Sequence, residues 1–248
     1  MGNKTKIAIG LLFLSTFFWR CDKGQPFDTT GEVATETRTI DFAKGIIMYD
    51  DVNVILTDKI DKKEIVVSAG KNIIKKINAV VKDSVLIIRN NNKWNWTRDL
   101  NPEINVWVND EGIEHILHAS VGALTNEGVF SFKDFSLALL NGNGIINLNV
   151  DGFYMGVYTH NSYTDIIING YSQYFNLILY SYAPVDCRNM NCYGFYVKNN
   201  SIQDCWVHSD YYLYPTITSS GNIYYQGNPE IRDYVNTGTG SLINLEDH

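Results

Sequence analysis

Asp165, Asp186 and Asp204 fall in one phase of a repeat. If a stacked fold brought them together on neighbouring turns, their carboxylates would lie ~4.8 Å apart. Carboxylates that close repel, so the group would hold a Ca²⁺ ion or carry raised pKa values, and acidic clusters on such scaffolds also suit polysaccharide cleavage. The plainer reading is that each aspartate caps its own turn. Lyase-type chemistry would also want bases nearby, and after residue 150 there are only Arg188, Lys198 and Arg232.

Other reactive residue types give weaker signals. His115 and His118 sit three apart beside Glu114, a spacing that binds metal on a helix. Here the segment is short and leads into the repeat, so a surface or corner pair is expected. Cys187 and Cys205 share a phase and could form a disulfide, but stacked inward residues rarely have the Cβ geometry for one, so buried thiols are favoured. No Ser-His-Asp spacing, phosphate loop or dinucleotide fingerprint is present, and Gly142-Asn143-Gly144 reads as a turn. No cofactor is expected. Tyrosines are dense late in the chain, 15 of 16 lying after residue 150. Strand alternation must turn some outward. Tyr211, Tyr212, Tyr214, Tyr224 and Tyr225 are the candidate ligand-binding set, as an amphipathic strip for carbohydrate or protein. The alternative is an aromatic ladder that only stiffens a sheet.

The chain that must position these groups has 248 residues and a net charge of −7. It is too apolar and aromatic for disorder, and its acidity argues against nucleic acid as a partner. Charge is uneven. Residues 1–98 hold 16 of the 20 basic side chains and 11 acids, whereas residues 99–248 hold 4 bases and 16 acids. The lysines between residues 59 and 82 read as solvated turns and edge protection rather than a polyanion site.

The N-terminus reads as an address. Lys4 and Lys6 precede an apolar run over residues 7–19, which is too short to cross a bilayer as a helix and fits a signal peptide over residues 1–20. Cys21 stands at the first polar break, which resembles a lipoprotein signal with Cys21 lipidated, although Trp19 and Arg20 replace the usual small residues. Residues 21–37 then form a tether and the protein is exported, lipid-anchored at an outer membrane or cell surface.

Residues 38–100 carry short β-branched runs separated by polar turns, and form an N-terminal β-strand region. Trp94 and Trp96 lie in an Asn-rich loop, folded back over the sheet or open to sugar stacking. From residue 101 to 248 the chain repeats with a period near 21, too short for propeller blades or helical pairs and suited to one rung of a β-solenoid. In residues 146–150, Ile146, Leu148 and Val150 point inward, with Asn147 and Asn149 outward. A second anchor, Gly152, Gly170 and Gly194, agrees on the period but not on register. The 27 asparagines suit corners that need positive φ. The two regions make one continuous all-β domain, a β-helix with an N-terminal strand cap.

The runs at residues 38–42, 52–56, 71–88 and 104–108, with Gly142-Asn143-Gly144-Ile145-Ile146-Asn147, resemble the auto-transporter adhesin, head-GIN-domain family. The resemblance covers roughly residues 38–245. It implies a right-handed parallel β-helix in a secreted or lipid-anchored Bacteroidetes protein, and no catalytic residues. The expected function is non-catalytic adhesion or glycan binding, with carbohydrate or a cell-surface protein as partner. A polysaccharide-active enzyme and a structural envelope component are the alternatives.

Overall fold

The computed structural model describes residues 29–92 and 103–246. Cys21, Trp94 and Trp96, and with them the expected leader, lipid anchor and aromatic loop, lie outside the described residues.

The chain begins with β1 (Val33–Thr39), β2 (Gly45–Asp50), β3 (Asn53–Thr57) and β4 (Glu64–Gly70). A single 3₁₀ turn at Ile74–Lys76 leads to β5 (Ile77–Lys82) and β6 (Val85–Asn90). β7 (Asn105–Asn109), β8 (His115–Ser120) and β9 (Leu124–Asn126) precede three long strands, β10 (Phe130–Leu140), β11 (Ile145–His160) and β12 (Asp165–Tyr180). Then come β13 (Val185–Cys187), β14 (Met190–Asn199), β15 (Cys205–His208), β16 (Tyr212–Ile217) and β17 (Ile223–Gln226). β18 (Glu230–Ile231), β19 (Val235–Asn236) and β20 (Leu242–Asn244) close the fold.

From β8 onward every pairing is parallel, in a β-helix of about six turns. The offset between successive rungs is not constant: Leu124 lies opposite Ile146, Ile145 opposite Asp165, and Gly194 opposite Tyr212. The offsets scatter around the expected period, because the corners take up different numbers of residues.

Alternation explains the core. Phe135, Met155, Phe175, Phe195 and Leu213 stack in register with at most 1% exposure, and Ile146, Ile166, Val185, Cys205 and Ile223 form a second inward column. Each such side chain contributes roughly 1.5–3 kcal/mol through burial, which no rung could collect alone. Ile146, Leu148 and Val150 are buried and Asn147 and Asn149 exposed, as the sequence predicts. Buried corners carry small hydroxyl side chains: the Ser201 hydroxyl donates to the Ser181 carbonyl at 2.6 Å, and Ser162 donates to Thr164 at 2.9 Å. Among the described asparagines only Asn141 and Asn161 take positive φ, so corner conformation accounts for these two and not for the asparagine content as a whole.

The three anchor glycines do not stack. Gly152 faces Ser172, Gly170 faces Val150 and Gly194 faces Tyr174, each in a different row.

At the N-terminal end, rung order departs from chain order. β2 lies between β6 and β8, and β3 between β7 and β9, all parallel. The antiparallel pairs β1–β4, β4–β7 and β5–β6 close that end. The Arg38 guanidinium fastens it, donating to the carbonyls of Ile74 and Ile77 at 2.8 and 2.6 Å. Three lysines of the basic region make ion pairs with acids of the following rung: Lys44 with Glu114, Lys59 with Glu127 and Lys62 with Glu111.

Candidate functional site

Strand parity and register decide which candidate side chains meet. β16 alternates with Leu213 and Pro215 inward, so Tyr212 and Tyr214 turn outward. Tyr212 lies opposite Gly194 and Tyr214 opposite Tyr196. Gly194 matters here, because a Cβ there would stand 3.1 Å from the ring of Tyr174, which lies across it.

The result is a continuous ring network on one outer face. Phe153 meets Tyr174 with centroids 5.7 Å apart, Tyr174 meets Tyr193 at 6.1 Å, and Tyr193 meets Tyr211 at 4.9 Å and Tyr212 at 5.3 Å. Beside it Tyr196 and Tyr214 stack at 4.1 Å. Arg232 closes the network, its guanidinium carbon 3.7 Å from the Tyr212 ring centroid while it pairs with Glu230 at 2.8 Å. A hydrogen bond with the Tyr212 hydroxyl pushes the Tyr193 phenol up from its ordinary value, and burial followed by the Tyr214 hydroxyl does the same for Tyr196.

Tyr211, Tyr212 and Tyr214 therefore meet on one face. Tyr224 stands elsewhere, stacked on Trp206 at 5.5 Å, with the Arg188 guanidinium 5.9 Å from that indole ring. Tyr225 lies opposite buried Val207 and packs against the core, because the next residue along a strand faces the other way. The tyrosine clustering in the sequence also takes in Tyr174, Tyr193 and Tyr196, but the candidate set holds only the five later tyrosines, and register is what joins the earlier three and Phe153 to the network.

Register also places the aspartates. Asp186 lies opposite Ile167 and Trp206. Asp165 and Asp204 fall instead in the row of Pro184, on rungs to either side of it. The three carboxylates thus form no column. Among the described residues no group of three or more His, Cys, Asp or Glu side chains converges. Asp186 is held by Arg188, which donates through Nε at 3.0 Å and lowers its carboxyl pKa, and Asp204 accepts the Asn222 amide at 2.7 Å. Asp186 also accepts the Arg188 backbone amide at 3.1 Å and so caps its own turn, whereas the Asp204 contact reaches the next rung.

His115 and His118 do not form a surface pair. The segment is a strand, so residues three apart face opposite sides, and His118 is fully buried while His115 is exposed. His118 Nε2 donates to the Gly122 carbonyl at 2.8 Å, Nδ1 has no partner, and burial lowers its pKa. Cys187 and Cys205 are out of register, since Cys187 pairs with Val207 and Cys205 with Val185. Cys187, Cys192 and Cys205 are all free, buried thiols whose pKa values burial raises.

Comparison with known proteins places the fold. Residues 42–229 match the model of the family described as "Putative auto-transporter adhesin, head GIN domain". The chain belongs to that family. No match was found among curated proteins. Among solved structures, a putative adhesin from Bacteroides fragilis superposes with a TM-score of 0.74 at 16% identity, over 86% of this chain and 97% of the other. A putative lipid binding protein from Parabacteroides distasonis gives 0.65 at 16% identity, over 88% and 98%. A putative adhesin from the same species gives 0.62 at 15% identity, over 87% and 98%. These similarities establish a shared β-helix. The family is named for adhesion, a surface function, and no helix among the described residues is long and apolar enough to cross a membrane.

Proposed function

We propose that this head-GIN-domain protein is a non-catalytic adhesion module that binds carbohydrate through its tyrosine-covered outer face. The carrying observation is the ring network from Phe153 to Arg232, which spans consecutive rungs on a rigid sheet. Tyrosine supplies an apolar ring and a polar tip at low entropic cost, which suits the mixed apolar and hydroxyl surface of a sugar. The acidic surround disfavours polyanions. We further propose export and attachment through a lipidated Cys21, supported by the apolar run that precedes it.

A printed array of neutral, sialylated and sulfated glycans tests this reading. Neutral glycans are expected to bind, and Tyr193→Ala with Tyr212→Ala to weaken the binding. Retention of no glycan by the folded wild-type protein would sink the proposal. Mass spectrometry of the membrane fraction tests the anchor: a diacylglycerol-modified Cys21 is expected, and an unmodified, uncleaved N-terminus would exclude it.

A further inference from the structure

Next to the ring network, three consecutive positions of one outward row, between His115 and Tyr196, hold only small side chains. Ser136, Gly156 and Asn176 lie directly opposite one another on three consecutive rungs. The rows to either side hold larger side chains except at Ala138. On one side the register runs Asp134, Tyr154, Tyr174, and on the other Ala138, Tyr158, Ile178. Their inward neighbours Phe135, Met155 and Phe175, and Leu137, Val157 and Leu177, are buried, so all three rows face solvent. The small residues thus floor a trough with Tyr154 and Tyr174 on one side and Tyr158 and Ile178 on the other, open beside Ala138.

Both ends of the trough are defined. The next position in the row is Tyr196, whose far side is covered by Tyr214, so its remaining ring face looks along the trough. At the other end a cavity of about 360 Å³ is lined by Glu114, Asp134, Phe135, Ser136 and Tyr154. Glu114 is paired with Lys44 at 2.8 Å. Tyr154, Tyr158 and Tyr196 are each about two-fifths exposed, at 38%, 41% and 41%.

We infer that this trough holds a short segment of a neutral glycan lying along the stack, with one end at Tyr196 and the other at His115, beside Asp134. The inference rests on the carbohydrate-binding reading and names its site and ligand class. Three features select the occupant. Tyrosine walls offer apolar surface to the C–H faces of sugar rings, while Ser136, Asn176 and the Asp134 carboxylate offer hydrogen-bond partners for hydroxyls. The rung spacing of ~4.8 Å is close to one sugar unit of an extended chain, so about three units span the floor. The Asp134 carboxylate at the open end disfavours sulfated or sialylated chains, Glu114 being paired with Lys44.

Gly156 gives a clean test. Its φ is ordinary, and an added Cβ would meet only the Tyr154 ring at 3.7 Å and its hydroxyl at 3.8 Å. Gly156→Gln therefore fills the trough without straining the backbone. The probes are neutral mono- to hexasaccharides, a sialylated and a sulfated set, and an oligoarginine peptide, titrated against the full chain. Neutral trisaccharides and longer chains are expected to bind at least tenfold more tightly than monosaccharides. Gly156→Gln is expected to weaken them at least tenfold at an unchanged melting temperature. Binding independent of chain length, or a variant that binds as wild type, overturns the trough; if Tyr193→Ala with Tyr212→Ala then abolishes glycan binding, the carbohydrate reading survives without it. Preference for the charged sets overturns the assigned ligand class. Binding of oligoarginine alone, lost in Gly156→Gln, overturns both in favour of a peptide site.

Discussion

Tyr196 and Tyr214, directly opposite on neighbouring rungs, stack with ring centroids 4.1 Å apart and planes 7° from parallel. Rings that lie parallel across the rung spacing stand upright on the sheet, so they show edges and hydroxyls to solvent. Only the end of such a stack offers an open face. The pair is thus at once a stiffening ladder and a wall.

That geometry predicts measurable coupling. In a double-mutant cycle of Tyr196→Ala and Tyr214→Ala, urea unfolding is expected to give a coupling energy of about 1 kcal/mol. Strict additivity of the two single changes would mean that the stacking adds nothing.

Acid should destabilise the fold through His118. Its folded pKa is lowered, chiefly by burial, from the ordinary value of 6.5. The unfolded chain therefore binds a proton first as pH falls, and stability drops from about pH 6.5 down to the lowered folded value, staying complete above. Chemical denaturation at pH 7.5 and 5.5 checks this. His118→Asn, although less stable overall, should show a flatter dependence over that window, and an unchanged slope would place the sensitivity elsewhere.

The thiols of Cys187, Cys192 and Cys205 should be inert in the native state. Burial is the first cause raising each pKa, and the reactive thiolate is correspondingly scarce. Iodoacetamide labelling with peptide mapping is expected to find these three modified only after unfolding. Rapid native labelling of any one would contradict its burial.

Two glycines should respond differently to the same methyl group. Gly170 has φ +110°, and a Cβ there would stand 2.1 Å from the Val150 carbonyl oxygen. Gly170→Ala is expected to cost at least ~1–3 kcal/mol, whereas Gly156→Ala, in ordinary contact only, should fall within about 0.5 kcal/mol of wild type. Thermal denaturation of the two variants compares them directly.

The sequence made the inward set legible wherever alternation was clean, as at Ile146, Leu148 and Val150, and it made the period legible because each rung repeats one structural task. Register was harder to read. The repeat phase set Asp165 against Asp186, but the rung pairs Asp186 with Ile167 instead. A slip of two keeps inward and outward faces intact, so hydrophobic pattern cannot detect it. The same blindness put Cys187 in phase with Cys205, whereas proximity in the chain groups Tyr225 with Tyr224, although alternation turns neighbours to opposite faces. The trough left one faint signal, the even spacing of Ser136, Gly156 and Asn176, which has meaning only once the walls are known. The placement of β2 and β3 between later strands left none, since parallel partners so distant along the chain impose no local pattern.

That placement gives the molecule a strong end and a weak end under mechanical load. At the C-terminus β18, β19 and β20 each bond to a single neighbouring strand, so tension applied there strips one rung after another. At the other end β1 and β5 each hang by one partner, but behind β1 the next strands β2 and β3 are gripped on both sides. A molecule tethered by its N-terminal segment and tugged by a bound surface would lose β1 first and then hold at the clamped turn.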